Sequence, residues 1–190
     1  MDQLWAPWRM ELIGKGESPA ADACIFCDLP AAPAAEGQRP AIDRGNLILG
    51  RTPRTFAILN KYPYNNGHLM VIPRRHGNDL GALEADEHLE LAEMLRVALR
   101  LVQRAYAPHG ANLGMNLGKP AGAGISGHLH WHIVPRWTGD TNFMPVLGET
   151  KVMIESLQAS WERLRPLFDA EYRWQGPHVL EWAAEGTESK

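Results

Sequence analysis

The sequence predicts an α+β domain built on antiparallel strands. Short apolar runs separated by turn residues come first, a long amphipathic stretch follows, then further strands and a second amphipathic stretch. Strands on both sides of one helix argue against a repeated parallel βαβ unit. The clearest strand is His128-Leu129-His130-Trp131-His132-Ile133-Val134, in which histidine alternates with a large apolar residue. Successive side chains of a strand point to opposite faces. His128, His130 and His132 therefore share one face, and Leu129, Trp131 and Ile133 the other. In a helix the three histidines would fan around the axis, and the β-branched and aromatic neighbours also favour the strand.

The elements follow in order. Residues 1–22 read as an N-terminal arm carrying Trp5 and Trp8, which pack on the domain's own surface or cover a partner subunit or a base. Residues 23–170 form the domain. Pro30 to Pro40, rich in Ala and Pro, reads as a flexible surface loop. Asn46–Leu49 and Thr55–Asn60 are two strands around a turn at Thr52-Pro53-Arg54, and Tyr62 to Gly67 is a second turn. His68–Pro73 is a mostly apolar strand stopped by its proline. Leu83, Leu89, Leu91, Met94, Leu95, Ala98, Leu99 and Val102 recur at three- and four-residue steps, which predicts a helix from Leu83 to Tyr106 closed by Pro108 and Gly110. Ala111–Leu117 is a strand that enters a glycine-rich loop ahead of the histidine strand. Glu155–Phe168 is a second helix whose end Pro166 kinks or frays. Residues 171–190 form a tail with Trp174 and Trp182 and a polar end, for which partial order is expected.

Composition narrows the function. A chain of 190 residues with 45% hydrophobic residues is long enough and apolar enough for one domain with a core. A net charge of -3 and a pI near 6.2 give no overall basic field, so long nucleic acid is excluded as a partner, while a nucleotide-sized anion needs only a local positive site. Two cysteines are too few for a disulfide framework. No apolar run approaches the roughly 20 residues needed to cross a membrane. The N-terminus has tryptophans, prolines and charges where a signal peptide has an apolar core. A cytoplasmic protein is expected.

The residues themselves point to phosphate chemistry. The loop Gly118-Lys119-Pro120-Ala121-Gly122-Ala123-Gly124-Ile125-Ser126-Gly127 lets backbone N–H groups approach an anion closely. Beside it stand three aligned imidazoles. A neutral imidazole nitrogen can attack phosphorus and later leave, dividing one difficult displacement into two easier ones, and its other nitrogen must be hydrogen-bonded to set the tautomer. A pure metal site is the rival reading, because imidazole is a common ligand. Cys24-x-x-Cys27 has the spacing of half a tetrahedral zinc site, or is a pair of reduced buried thiols. Lys119, Arg136 and Lys151 can neutralise a polyphosphate or remain solvated surface. Trp131 packs against the helix face.

The His-apolar-His-apolar-His-apolar-apolar pattern resembles the motif of the histidine triad (HIT) superfamily. The run from Gly114-Met115-Asn116-Leu117-Gly118 to Pro135-Arg136-Trp137, the segment Leu59 to His68 and Cys24-Ile25-Phe26-Cys27 are similar to the branch with diadenosine polyphosphate hydrolases and phosphorylases. The likeness runs from about Leu4 to near Leu167. It implies a HIT-like fold with a five-stranded antiparallel sheet, and a homodimer, with tetramers open, that extends the sheet across a two-fold axis.

The resemblance also implies roles. His130 matches the nucleophile, oriented by a backbone carbonyl and forming a nucleotidyl-histidine. His132 matches the histidine at the scissile phosphate or leaving group. Hexose-1-phosphate uridylyltransferases carry glutamine there, so His132 favours the hydrolase and phosphorylase side. His128 is a supporting or metal-binding residue. Asn60 and His68 match positions on the nucleoside and ribose side, and Asn116 one that holds phosphate oxygens. Gly124 and Ser126 lie where the phosphates run. Some phosphorylases carry serine at the position of Gly124, a departure that bears on phosphorolysis, although Ser126 can substitute. In some members a structural Zn²⁺ site is completed by His76 and His128 together with Cys24 and Cys27. No organic cofactor is expected. The activity implied is hydrolysis or phosphorolysis of a purine dinucleoside polyphosphate. A nucleoside phosphoramidate hydrolase and a zinc-stabilised nucleotide-binding module are the alternatives.

Overall fold

The computed structural model describes residues 23–141, 147, 152–171, 173–174 and 180–181. The arm 1–22 with Trp5 and Trp8, Lys151 and Trp182 lie outside the described residues. The sheet holds β1 (Ile48–Arg51), β2 (Thr55–Leu59), β3 (Leu69–Pro73), β4 (Gly110–Met115) and β5 (Trp131–Arg136). Its order is β1-β2-β3-β5-β4, and every neighbouring pair is antiparallel. The helices are α1 (Ile25–Ala31), α2 (Arg39–Gly45), α3 (Ala85–Tyr106) and α4 (Leu157–Glu171). The α+β class and the five-stranded antiparallel sheet are as expected.

Alternation divides β2 and β3 between two cores. Ala57, Leu59, Leu69 and Val71 face one side, where they pack with Leu91, Met94, Ala98, Leu101 and Val102 of α3 and with Leu164 and Phe168 of α4. Phe56, Ile58, Met70 and Ile72 face the other side and pack on Phe26 of α1. These central strands are buried on both faces, which explains their near-continuous apolar sequence. The predicted α3 stripe is largely right. Leu89, however, is 45% exposed, while Val97 and Leu101 are buried. Ala107 ends α3 in the left-handed conformation at φ 44, with its N–H on Gln103 O.

The structure departs from the local expectations in two places. Pro30–Pro40 is not one flexible loop, because α1 reaches Ala31 and α2 begins at Arg39. Pro40 sits in the first turn of α2, where a missing N–H costs nothing, and the buried Asp43 carboxylate accepts from Arg51 Nε at 3.1 Å. Pro166 does not end α4, which runs on to Glu171 with Leu164 and Phe168 in the core. Burial of that apolar face outweighs the lost hydrogen bond. The tail adds an unforeseen pair of two-residue strands, β6 (Arg173–Trp174) with β7 (Leu180–Glu181).

Candidate functional site

The histidine run departs from an ideal strand in an informative way. Regular pairing begins only at Trp131, so His132 alone of the three lies in β5. The ladder with β3 covers Leu69↔Ile133, Met70↔His132 and Val71↔Trp131 and then stops. Pro73 has no N–H to continue it. Leu129 N instead donates to Gly77 O at 2.8 Å, and the Pro73 carbonyl accepts from His128 Nε2 at 2.8 Å. The alternation survives the irregularity. The His130 and His132 ring centroids lie 5.1 Å apart, and Phe26 lies against both His128 and His130, at 5.6 and 5.2 Å.

Hydrogen bonds set the tautomer of each ring. His130 Nδ1 donates to His128 O at 2.8 Å, which leaves the lone pair on Nε2. The ring is 5% exposed. Burial pushes its imidazole below the ordinary histidine value of 6.5, against the hydrogen bond to His128 O, which works the other way. His132 is governed from behind. Tyr64 N–H donates to His68 Nδ1 at 2.9 Å, so the hydrogen of His68 is on Nε2, 2.9 Å from His132 Nδ1. His132 Nδ1 therefore accepts, and its own hydrogen lies on Nε2. The chain Tyr64–His68–His132 presents a donor where His130 presents a lone pair.

This changes the place of His68. The family resemblance puts it against the ligand, whereas it is fully buried and bonded to His132. Asn60 turns its Nδ2 to the His68 ring at 3.3 Å, while its Oδ1 accepts Tyr62 N–H at 2.9 Å. It organises the turn that holds His68.

A cleft of about 370 Å³ opens beside His132, between β4, β5 and the turn carrying Tyr64. Asn116 lines it, with its Nδ2 on Gly122 O at 3.3 Å. His130, Gly124 and Ser126 are not among its lining residues. Space around Gly124 is open, with nothing within 4 Å of where a Cβ would stand. Lys119 is exposed, and Trp131 packs on the α3 side of the sheet as expected. Arg136 lines the cleft, but its guanidinium is committed to Asp140 at 2.6 Å and to Asn112 Oδ1 at 2.8 Å. That pairing holds the Asp140 carboxyl well below the usual carboxylate range and offsets the positive charge of Arg136.

The second cluster is the metal-competent one. Cys24 caps α1, and its carbonyl accepts both Cys27 N and Asp28 N at 2.9 Å, so one helical turn brings the two thiols to the same side. The bond from Leu129 N to Gly77 O draws His76 and His128 together. The ligand atoms of Cys24, Cys27, His76 and His128 all lie within 4.8 Å of one another. His128 Nε2 is occupied by Pro73 O, which leaves Nδ1 for a metal; it stands 3.4 Å from Cys24 Sγ and 3.6 Å from Cys27 Sγ. A tetrahedron with ordinary Zn–S and Zn–N lengths has sulfur-to-nitrogen edges of about 3.5 Å. The residues fit a closed four-coordinate ion. Burial, and then the neighbouring Cys24 thiol, push the Cys27 thiol up to about 11, an effect that a divalent cation reverses.

Sequence reading missed Phe26, the Pro73 carbonyl and the Tyr64 N–H. Of these, only Phe26, an aromatic between two cysteines, left any signal.

Comparison with known proteins agrees with this geometry. The HIT domain family matches residues 44–139. AP-4-A phosphorylase of Mycobacterium tuberculosis is 37% identical over 164 residues, covering 83% of this chain and 80% of that protein. The asymmetrical bis(5'-nucleosyl)-tetraphosphatase of Schizosaccharomyces pombe is 30% identical over 96 residues, 50% of this chain and 52% of that protein. Among solved structures, a histidine triad nucleotide-binding protein from Sulfolobus tokodaii is similar with TM-score 0.56 and 26% identity, covering 80% of this chain and 99% of that one. A zinc-bound histidine triad family protein from Mycobacterium smegmatis has TM-score 0.59 and 23% identity, with 77% and 94% covered. On the strength of a family match over half its length and a relative more than 30% identical over most of it, this chain belongs to the HIT domain family.

Proposed function

We propose that the protein cleaves dinucleoside polyphosphates such as diadenosine tetraphosphate through a nucleotidyl-histidine at His130. The observation that carries this reading is the tautomer of His130: a buried, neutral ring with Nδ1–H anchored on His128 O and a lone pair on Nε2. Nε2 attacks the α-phosphorus, the bond to the bridging oxygen breaks, and ATP leaves. The Nε2–H of His132 hydrogen-bonds to the departing oxygen as negative charge builds there, and the hydrogen stays on the ring. The acceptor then attacks the same phosphorus, the P–N bond breaks, and His130 recovers its lone pair. With orthophosphate the second product is ADP; with water it is AMP.

Orthophosphate is favoured by the similarity to a protein called AP-4-A phosphorylase over most of both chains. Water is the second reading, favoured by glycine at position 124. The same reading includes a structural Zn²⁺ held by Cys24, Cys27, His76 and His128, which ties α1 and Phe26 to the histidine run and takes no part in the bond changes. It also includes a homodimer, supported by the position of β4 at the edge of the sheet with Leu113 42% exposed. Gly124 and Ser126 contact the phosphates, and Asn116 stands at the boundary between the phosphates and the cleft beside His132.

Chromatography of products from diadenosine tetraphosphate, with and without orthophosphate, is the test. ADP that requires added phosphate supports phosphorolysis; AMP regardless of phosphate supports hydrolysis. His130→Ala abolishes both, and product formation by that variant at the parent rate refutes the covalent route.

A further inference from the structure

The cleft beside His132 has a composition that the phosphate chemistry does not explain. It is bounded by the Tyr64 ring, by Asn112, Gly114 and Asn116 of the β4 side, and by Val134 of β5. Its volume of about 370 Å³ is in the range of small-molecule sites. The charge that could attract phosphate is cancelled, because Arg136 is held by Asp140. What remains is an aromatic face, an apolar wall and amides. Asn112 Oδ1 accepts from Arg136, which orients its Nδ2 as a donor, and Asn116 Nδ2 donates to Gly122 O, which orients its Oδ1 as an acceptor. The Tyr64 and His132 ring centroids lie 6.1 Å apart with their planes at 29°, so aromatic surface runs from the histidine into the cleft. Gly114 pairs with His132 in the sheet, and nothing lies within 4 Å of where its Cβ would stand, so the floor is open. A planar, uncharged ring with both donors and acceptors fits such a lining. A phosphate chain does not.

We infer that this cleft binds the nucleobase of the departing nucleotide, on the His132 side of the bond that is broken. The inference rests on the proposed cleavage of dinucleoside polyphosphates and adds to it a second base site, which predicts a preference for substrates capped at both ends by nucleosides. The site makes distal-base recognition a property of β4, β5 and Tyr64. It is separate from the His130 attack.

The test compares diadenosine tetraphosphate with adenosine tetraphosphate methylated on its terminal phosphate, which has the same chain and charge and no second nucleoside. Stacking and amide contacts of this kind predict a wild-type preference in kcat/KM of at least about tenfold for the capped substrate. Gly114→Val fills the floor with a strand-favouring side chain, and Asn112→Ala removes the donor without adding bulk. Each brings the ratio of the two substrates close to one. The same ratio in affinity is read by calorimetry with the full-length His130→Ala protein, with and without Gly114→Val. A wild-type ratio near one, or variants that lower both substrates equally, overturns the base site while leaving the cleavage reading intact. Absence of both turnover and binding for either compound overturns the cleavage reading, and the base site with it.

Discussion

Gly67→Ala probes how the fold holds its catalytic face. Gly67 has φ +72, in the left-handed region, and a Cβ there would stand 2.6 Å from Tyr106 Cε2. The first cost is backbone strain, about 1–2 kcal/mol for a residue with a Cβ. The second is steric. Tyr106 cannot simply withdraw, because its hydroxyl donates to Glu155 Oε2 at 2.6 Å and the same carboxylate holds Ser160 at 2.8 Å. Forcing a methyl into such packing costs typically 1–3 kcal/mol. The expected destabilisation is the sum, about 2–5 kcal/mol, or a urea midpoint lowered by roughly 1–2 M at an ordinary slope. The adjacent His68 should shift, weakening its bond to His132 and lowering kcat. Urea unfolding of wild type, Gly67→Ala, Tyr106→Ala and the double variant separates the two costs. In the Tyr106→Ala background the methyl should cost only the backbone share. A change below about 0.5 kcal/mol in Gly67→Ala refutes the reasoning, and an equal cost in both backgrounds refutes its steric half.

Three further outcomes follow from the site. Substituting His68 by Ala leaves the His132 ring without the donor that sets its tautomer; kcat falls by about tenfold to a hundredfold while KM changes little, and an unchanged kcat contradicts the relay. Burial lowers the pKa of His130, so the folded state binds fewer protons there than the unfolded chain. The associated stability is complete above 6.5 and is lost as pH falls through the folded value, and kcat/KM, which needs the His130 lone pair, falls on the same acid side; an activity that rises on acidification would contradict this. Removing the metal by chelation, or replacing Cys27 by Ser, lowers the melting temperature by at least about 5 °C, with one zinc per chain expected from elemental analysis of the untreated protein; finding none in protein with reduced cysteines refutes the zinc site.

Much of this could be read from local pattern. A period of two decides which residues share a strand face, and the intervals of three and four in α3 mark most of its buried side. Both depend only on backbone geometry within a few residues. The Cys24–Cys27 spacing carries its own geometry in the same way, since one helical turn brings the thiols together. The tertiary structure decided what depends on partners distant in the chain. His68 and His132 are 64 residues apart, and only their packing fixes which nitrogen of each ring carries hydrogen. Proline at 73 breaks the ladder opposite a segment 55 residues later, which moves the start of β5 and turns His128 toward the cysteines. The sequence leaves the partner of Arg136 open, and only the packing places Asp140 and Asn112 around it. Periodicity is a property of the chain; tautomer, charge cancellation and metal geometry are properties of contacts, and these exist only once the sheet has closed.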